Sequence, residues 1–322
     1  MQFLLPFQIP PCPFNITYHD KILLIGSCFS EEIGNEMKEL KLDVLQNPNG
    51  ILYDPISIAE SLISYVENKP FSVENIFEMN GLWHSWKHHS AFSGISKEEV
   101  SKKINKSQSY AHAFLKKAHF LIITPGTAFS YQLKDNHEKV ANCHKAPSGY
   151  FVKTLLTAEE IQSGLLSAIS NIELMNPELK IIFTISPVRH VRDGVVENNR
   201  SKARLIEAVH SVCAQKQNTF YFPSYELVTD VLRDYRFYKN DLVHPNSTAV
   251  SFVFEKFIEC FLDLPSKEIL AEMRKLTSSV KHKPFFEKSL SHQKFVLAQR
   301  EYISGLEKKY PFIDLSVEKE YF

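Results

Sequence analysis

Residues 22–26, ILLIG, constrain this chain more than any other stretch. A run this short, unbroken by polar residues and stopped by glycine, has the character of a strand buried on both faces of a parallel sheet. Ser27 and Cys28 follow at once. From Phe29 the pattern turns helical, with Glu31 and Glu32 in the first turn, where carboxylates complement the positive end of a helix dipole. A strand-to-helix corner offers unpaired backbone N–H groups to whatever sits there. Two nucleophile-type side chains occupy it, so enzyme chemistry is the first expectation.

The same kind of run recurs at residues 119–124 (HFLIIT, ended by Pro125 and Gly126) and at 180–185 (KIIFTI, running into SPVRH). Shorter strands are predicted over 42–45 and 219–222. Helices are predicted from 29 to about 40, over 58–67, 97–117, 158–174, 201–215, 225–232 and 247–261. Ser57 is the expected N-cap of the second of these, with Glu60 completing a capping box. Strands alternating with helices predict a three-layer α/β/α sandwich around a central parallel sheet. Residues 70–95 hold both tryptophans, Trp83 and Trp86, and read as a hairpin or insert. Residues 128–150 read as one long connection. The predicted organisation is a domain over 1–263 with a helical insert at about 56–116, then a helical C-terminal extension over 264–322 that carries no legible motif.

Length and charge bound the function. A chain of 322 residues suits one large α/β domain with a tail. Its 37 basic and 37 acidic residues leave a net charge of +0, which gives no global field for nucleic acid or an anionic membrane. The five cysteines (Cys12, Cys28, Cys143, Cys213, Cys260) are scattered, odd in number and without a CxxC pair, which argues against a disulfide framework and for a reducing compartment. The N-terminal MQFLLPFQIPPCPF has no basic region and is broken by prolines, so a secretory signal is not expected, and no run is long enough to cross a bilayer. Cytoplasmic localisation is the expectation.

Ligands of parallel sheets bind beyond the carboxyl ends of the strands. The turns after the predicted strands carry Ser27 and Cys28, Gly126, and Arg189 and His190. A fourth segment, DLVHP at 241–245, sets Asp241 three residues before His244. A carboxylate so placed holds one imidazole nitrogen and frees the other as general base. With a nucleophile from the first corner this makes a Cys/Ser-His-Asp set in the chain order nucleophile, Asp, His.

These blocks resemble a known family. LLIGSCFSEEIG and DLVHP look like the SGNH (GDSL-type) hydrolase superfamily, and Gly26-Ser27-Cys28-Phe29-Ser30 resembles the motif of the GSCFA family, with Ser30 in place of alanine. NPNGILYDP, GTAF, ANCHK, SPVRH, ENNRSKA and RDYRFY extend the resemblance over about residues 20–260. It implies an SGNH-type fold and an ester hydrolase acting through an acyl-enzyme, on an O-acyl group of a small molecule or carbohydrate. The superfamily's nucleophile position falls on Cys28, with Ser27 as the rival, and Asp241 and His244 match its last block. Gly50 matches the oxyanion glycine. The asparagine of the third block is missing from Gly126-Thr127-Ala128-Phe129, leaving Asn49 or Asn142 as its replacement. An acyltransferase with the same residues and a catalytically silent carbohydrate-binding module are the alternatives.

Further candidates for substrate binding are Arg189, His190, His144 and His89. Arg189 suits a substrate carboxylate or a structural ion pair. The Trp/His segment suits a sugar face or a lid. His84 and His88 have H-x3-H spacing, but Ser85 stands where HExxH has glutamate and no third ligand is apparent, so neither a metal nor a cofactor is expected. Residues 26–34 lack the lysine of a phosphate loop. Nucleic acid and membrane-spanning roles are not expected, and oligomeric state is open.

Overall fold

The computed structural model describes residues 6–322, so the first five residues of the proline-rich lead-in lie outside it. The central sheet has five strands: β1 (Lys21–Gly26), β2 (Asp43–Gln46), β5 (Phe120–Thr124), β9 (Lys180–Phe183) and β10 (Thr219–Tyr221). They lie in the order β10-β9-β5-β1-β2, and every pairing is parallel. Two smaller antiparallel sheets stand beside it. One is the hairpin of β3 (Phe77–Met79) and β4 (Leu82–His84), and the other joins β6 (Phe129–Leu133) to β7 (Lys139–Val140) and β8 (Phe151–Leu155).

Alternation along the strands divides the interior in two. Ile22 and Leu24 of β1, Phe120 and Ile122 of β5, and Ile182 of β9 face one core. Leu23, Ile25, Leu121, Ile123, Ile181 and Phe183 face the other. Side chains two residues apart share a face of a strand, so a run apolar at every position buries both. Helices α1 (Cys28–Glu39) and α7 (Ser247–Phe261) cover the first face, and α2 (Pro55–Glu67), α3 (Lys97–Leu115), α4 (Ala158–Met175) and α5 (Val195–Gln215) cover the second. The three-layer α/β/α arrangement expected from the sequence is therefore present.

Several details differ from the sequence reading. Helix α2 begins earlier than expected: Asp54, not Ser57, is its N-cap, accepting the N–H groups of Ile56 (3.1 Å) and Ser57 (3.0 Å), with Pro55 at the first helical position. Helix α5 starts six residues ahead of the expected Ser201, after Gly194. The segment 128–150 is not one free connection: it contains β6, which pairs with both β7 and β8. The predicted helix at 225–232 is one short turn, α6 (Ser224–Glu226), continued as π-helix over Leu227–Leu232. Ile58, Leu62, Ala111, Phe114 and Leu115 belong to the second core, so α2 and the end of α3 are part of the sandwich, whereas Val100 and Ile104 at the start of α3 pack with Ile76 and Trp83 in a separate small cluster.

Beyond α7 the chain forms α8 (Leu264–Lys281), α9 (Leu290–Lys309) and α10 (Ser316–Tyr321). Leu270, Met273, Leu276, Ile303, Leu306 and Phe322 share the first core with β1 and α1. The C-terminal helices thus complete that layer. No helix among the described residues is long and apolar enough to cross a membrane.

Candidate active site

The chain passes from β1 outward to β2, then returns to place β5 on the other side of β1. The ends of β1 and β5 therefore flank a topological switch point, the usual ligand crevice of such a sheet. Gly26 pairs with Thr124 there. Gly26 has φ +144°, and a Cβ on it would meet the Thr124 carbonyl oxygen at 2.2 Å, so only glycine fits. The corner is pinned from both sides. Asn47 Oδ1 accepts the Gly26 N–H (2.9 Å), Thr124 O accepts that of Ser27 (3.0 Å), and Gly26 O accepts that of Leu52 (2.9 Å).

Ser27 is the N-cap residue of α1, yet its hydroxyl makes no capping bond. It is 1% exposed, and its Oγ has no hydrogen-bond partner among the described residues. Cys28, the first residue of α1, is half-buried. Burial pushes its thiol up from the ordinary value, while the N–H groups of Cys28 and Phe29 pull it down, Glu32 raises it and Lys239 lowers it. Burial dominates, so the thiol keeps its proton near neutrality. This reverses the low-pKa thiolate that a helix N-terminus alone suggests.

The Asp241–His244 turn is closed by its own carboxylate. Asp241 Oδ1 accepts the N–H groups of Val243 (2.9 Å) and His244 (3.0 Å), and Oδ2 accepts Nδ1–H of His244 (2.7 Å). Those bonds hold the Asp241 carboxyl down at about 2. With Nδ1 donating, Nε2 of His244 is left as the basic nitrogen. Leu242 sits between them at φ +57°, a left-handed conformation that a leucine adopts only under constraint. The turn is anchored further by Lys239 N–H on His244 O (2.7 Å) and Arg189 N–H on Val243 O (3.2 Å).

Ser27, Cys28 and His244 line one cavity of about 500 Å³, together with Gly126, Asn142, Arg189 and His190. The sequence-derived candidates thus divide into two groups. Asn142 keeps Oδ1 for the N–H of His144 (2.9 Å), which leaves its amide nitrogen as a donor. His190 has Nε2 buried without a hydrogen bond, 3.5 Å from Asp193 Oδ2, and burial lowers its pKa. Asn49, Gly50, His89 and His144 are not among the cavity's lining residues. Gly50 gives its N–H to Asn47 O (2.7 Å) to close a turn, and Asn49 gives its amide to Ser61 Oγ (3.1 Å), so neither offers the oxyanion donor expected of it. His89 caps the short turn at Ser90–Phe92.

His144 belongs to a buried cluster behind the cavity wall. Its Nε2–H donates to Ser85 O (2.8 Å), its Nδ1 accepts from Ser90 (3.0 Å), and its ring lies 4.6 Å from that of His84. His88 bonds Ser85 Oγ (2.9 Å). Burial holds His144 down at about 4 and His88 at about 3, so both are neutral. The cluster ties the β3–β4 hairpin to the 142–144 loop and packs as structure. No group of three or more His, Cys, Asp or Glu side chains among the described residues is placed to hold a metal ion.

Two residues near the corner escaped the sequence reading. Tyr53 lines the cavity, and its carbonyl accepts the N–H groups of Gly126 (2.7 Å) and Thr127 (3.1 Å). Lys202 is 1% exposed and donates to Gly126 O and Ser186 O, each at 2.6 Å, holding together the turns after β5 and β9. Burial lowers its pKa to about 7. A signal for it exists: Lys202 falls on the stripe of α5 that otherwise carries Leu205, Ala208, Val209 and Val212, where an unexplained charge marks a buried polar contact.

Comparison with known proteins gives the following. The sequence matches the GSCFA family over residues 21–257, and residues 273–322 match the C-terminal domain of GSCFA domain proteins. Comparison with curated proteins gave no match. Among solved structures, a carbohydrate esterase family 3 protein from Talaromyces cellulolyticus is 10% identical with a TM-score of 0.37, over 80% of this chain and 99% of that one. The acetyl xylan esterase Est2A from the rumen bacterium Butyrivibrio proteoclasticus is 10% identical with a TM-score of 0.38, over 76% of this chain and 64% of that one.

Proposed function

We propose that this chain, which belongs to the GSCFA family, is an SGNH-type ester hydrolase that removes an O-acyl group from a small molecule or carbohydrate by way of an acyl-enzyme. The observation that carries this reading is that Cys28 and an Asp241-oriented His244 line one cavity at the switch point of the sheet. Cys28 is the nucleophile in preference to Ser27 because it is half-buried, whereas Ser27 is 1% exposed. A Cβ on Gly126 would lie 3.3 Å from that of Ser27, so Ser27 is also closely packed.

Because burial keeps the thiol protonated, the step is general-base catalysis and not attack by a standing thiolate. Sγ of Cys28 attacks the ester carbonyl carbon while its proton passes to Nε2 of His244. The oxyanion takes hydrogen bonds from the first-turn N–H groups of α1 and the amide of Asn142. The C–O bond then breaks, and the imidazolium returns its proton to the leaving alkoxide. Water, deprotonated by His244, cleaves the thioester and releases the acid and the free thiol. Asp241 stays ionised throughout and fixes the imidazole tautomer.

The test is turnover of 4-nitrophenyl acetate by wild type, Cys28→Ala, Ser27→Ala and His244→Ala. Loss of turnover in Cys28→Ala and His244→Ala, with Ser27→Ala retaining most of it, supports the reading. Full activity in Cys28→Ala, or no turnover of any activated ester by wild type, contradicts it. Faster transfer to an added alcohol than to water would make the enzyme an acyltransferase with the same residues.

A further inference from the structure

The walls of the cavity are uneven in charge. Arg189 and Arg192 both line it, and Asp54 is the single carboxylate among its lining residues. Asp54 is buried as the N-cap of α2, its Oδ1 occupied by the N–H groups of Ile56 and Ser57. The acidic residues nearest the corner, Glu31 and Glu32, stand on α1, and Glu32 is paired with Lys239 (3.0 Å). The wall formed by residues 189–192 is therefore cationic, and the one carboxylate lining the cavity, Asp54, is committed to the N-cap of α2.

The two guanidinium groups are held differently. Arg189 donates Nη1–H to the Tyr235 hydroxyl (2.8 Å) and lies over the rings of Tyr235 (5.0 Å) and Tyr238 (4.8 Å). Those rings fix its plane and leave its remaining N–H groups unspent. Arg192 makes no ion pair or side-chain hydrogen bond among the described residues, and the neighbouring Asp193 is paired with Lys153. A fixed arginine and an uncommitted one on one cavity wall suit bidentate recognition of a planar or tetrahedral anion.

We infer that the substrate is an anionic ester, carrying a carboxylate, phosphate or sulfate that Arg189 and Arg192 bind while the ester carbonyl lies at Cys28. This deepens the proposed hydrolase reading and rests on it for the position of the reacting bond. The anion sits on either the acyl or the alcohol side, and the two sides are separable by experiment. For the acyl side, mono-4-nitrophenyl succinate is compared with its methyl ester, after subtraction of spontaneous hydrolysis. For the alcohol side, 4-acetoxybenzoate is compared with 4-acetoxybenzamide.

The expected result is a kcat/KM at least about 10-fold higher for the anion than for its neutral isostere in one of the two pairs, a scale set by one charge-assisted pair. Arg192→Ala abolishes that preference, carried mostly in KM, and Arg189→Lys reduces it. Equal turnover of both members of both pairs overturns the inference while leaving the hydrolase reading standing. If no ester is turned over, the hydrolase reading fails, and the anion site is decided by calorimetric titration of Cys28→Ala with succinate and 4-hydroxybenzoate. Binding of either one that is lost in Cys28→Ala/Arg192→Ala supports the cationic wall as an anion site. Absence of binding, or binding indifferent to Arg192, overturns it.

Discussion

The two halves of the proposed site are built in opposite ways. The Gly26–Cys28 corner is an extension of the sheet: Ser27 is 1% exposed, and the corner's backbone is fixed by hydrogen bonds to Thr124 O and Asn47 Oδ1 and by one from the Leu52 N–H. The Asp241–His244 turn stands near the surface, with side chains 48% and 40% exposed, and is held mainly by bonds that Asp241 makes within three residues. The proposed nucleophile thus inherits its position from the global fold, whereas the proposed base is placed by a local device. Substitutions at the corner should cost stability and activity together, and those in the turn should cost activity alone.

The strongest break of that comparison is Gly26→Ala. Its Cβ would collide with Thr124 O, so a loss of about 3 kcal/mol or more in unfolding free energy is expected, measured by urea denaturation. A stable Gly26→Ala would mean that the corner is not pinned as described. His244→Ala should lower kcat by about 10²- to 10⁴-fold with little change in Tm, the range for removing a general base. A matching fall in Tm would make the turn structural. Asp241→Asn keeps the size but loses the carboxylate, and a kcat loss of about 10²-fold at unchanged fold is expected, less than for a buried triad aspartate because water reaches this one. The far-ultraviolet spectrum and kcat of the variant check both parts.

A smaller effect comes from the histidine cluster behind the cavity. His144 and His88 are held at about 4 and about 3, below the ~6.5 of an unfolded imidazole. Between roughly pH 6.5 and 3 the unfolded chain binds protons there that the folded one does not, so stability is full above that window and falls as the pH is lowered through it. Denaturation midpoints at pH 7 and pH 5 test this. The drop should shrink in a variant with His88→Gln, and an unchanged drop would assign the acid sensitivity elsewhere. The smallest effect is expected at Leu242, where glycine accepts φ +57° without strain. Leu242→Gly should leave stability within about 1 kcal/mol of wild type, the relief of strain offset by unfolded-state entropy, and any large loss would show that the leucine side chain holds the turn.

How far each part was legible in the sequence follows from the range of the interactions that make it. The parallel strands at β1, β5 and β9 are readable because burial on both faces leaves an unbroken apolar run. The Asp241–His244 pair is readable because its bonds span three residues. The β6–β8 pairing is not, since it joins residues 18 to 26 positions apart, and the pattern that predicts a helix over 225–232 does not distinguish π from α winding. Gly50 illustrates a subtler failure. Gly50 matches the oxyanion glycine by resemblance, but its N–H is committed to Asn47 O in the turn that Asn47-Pro48-Asn49-Gly50 forms. Lys202 is the converse, a charge whose buried partners, Gly126 O and Ser186 O, lie 76 and 16 residues away.

The most direct test of the account is to trap the acyl-enzyme. Protein mixed with 4-nitrophenyl acetate, quenched in acid within the burst and digested, is mapped by mass spectrometry for acetyl groups. The account predicts an acetyl thioester on Cys28, present in wild type and absent from His244→Ala at the same reaction time. An acetyl group on Ser27, or steady turnover with no modified residue, would contradict it.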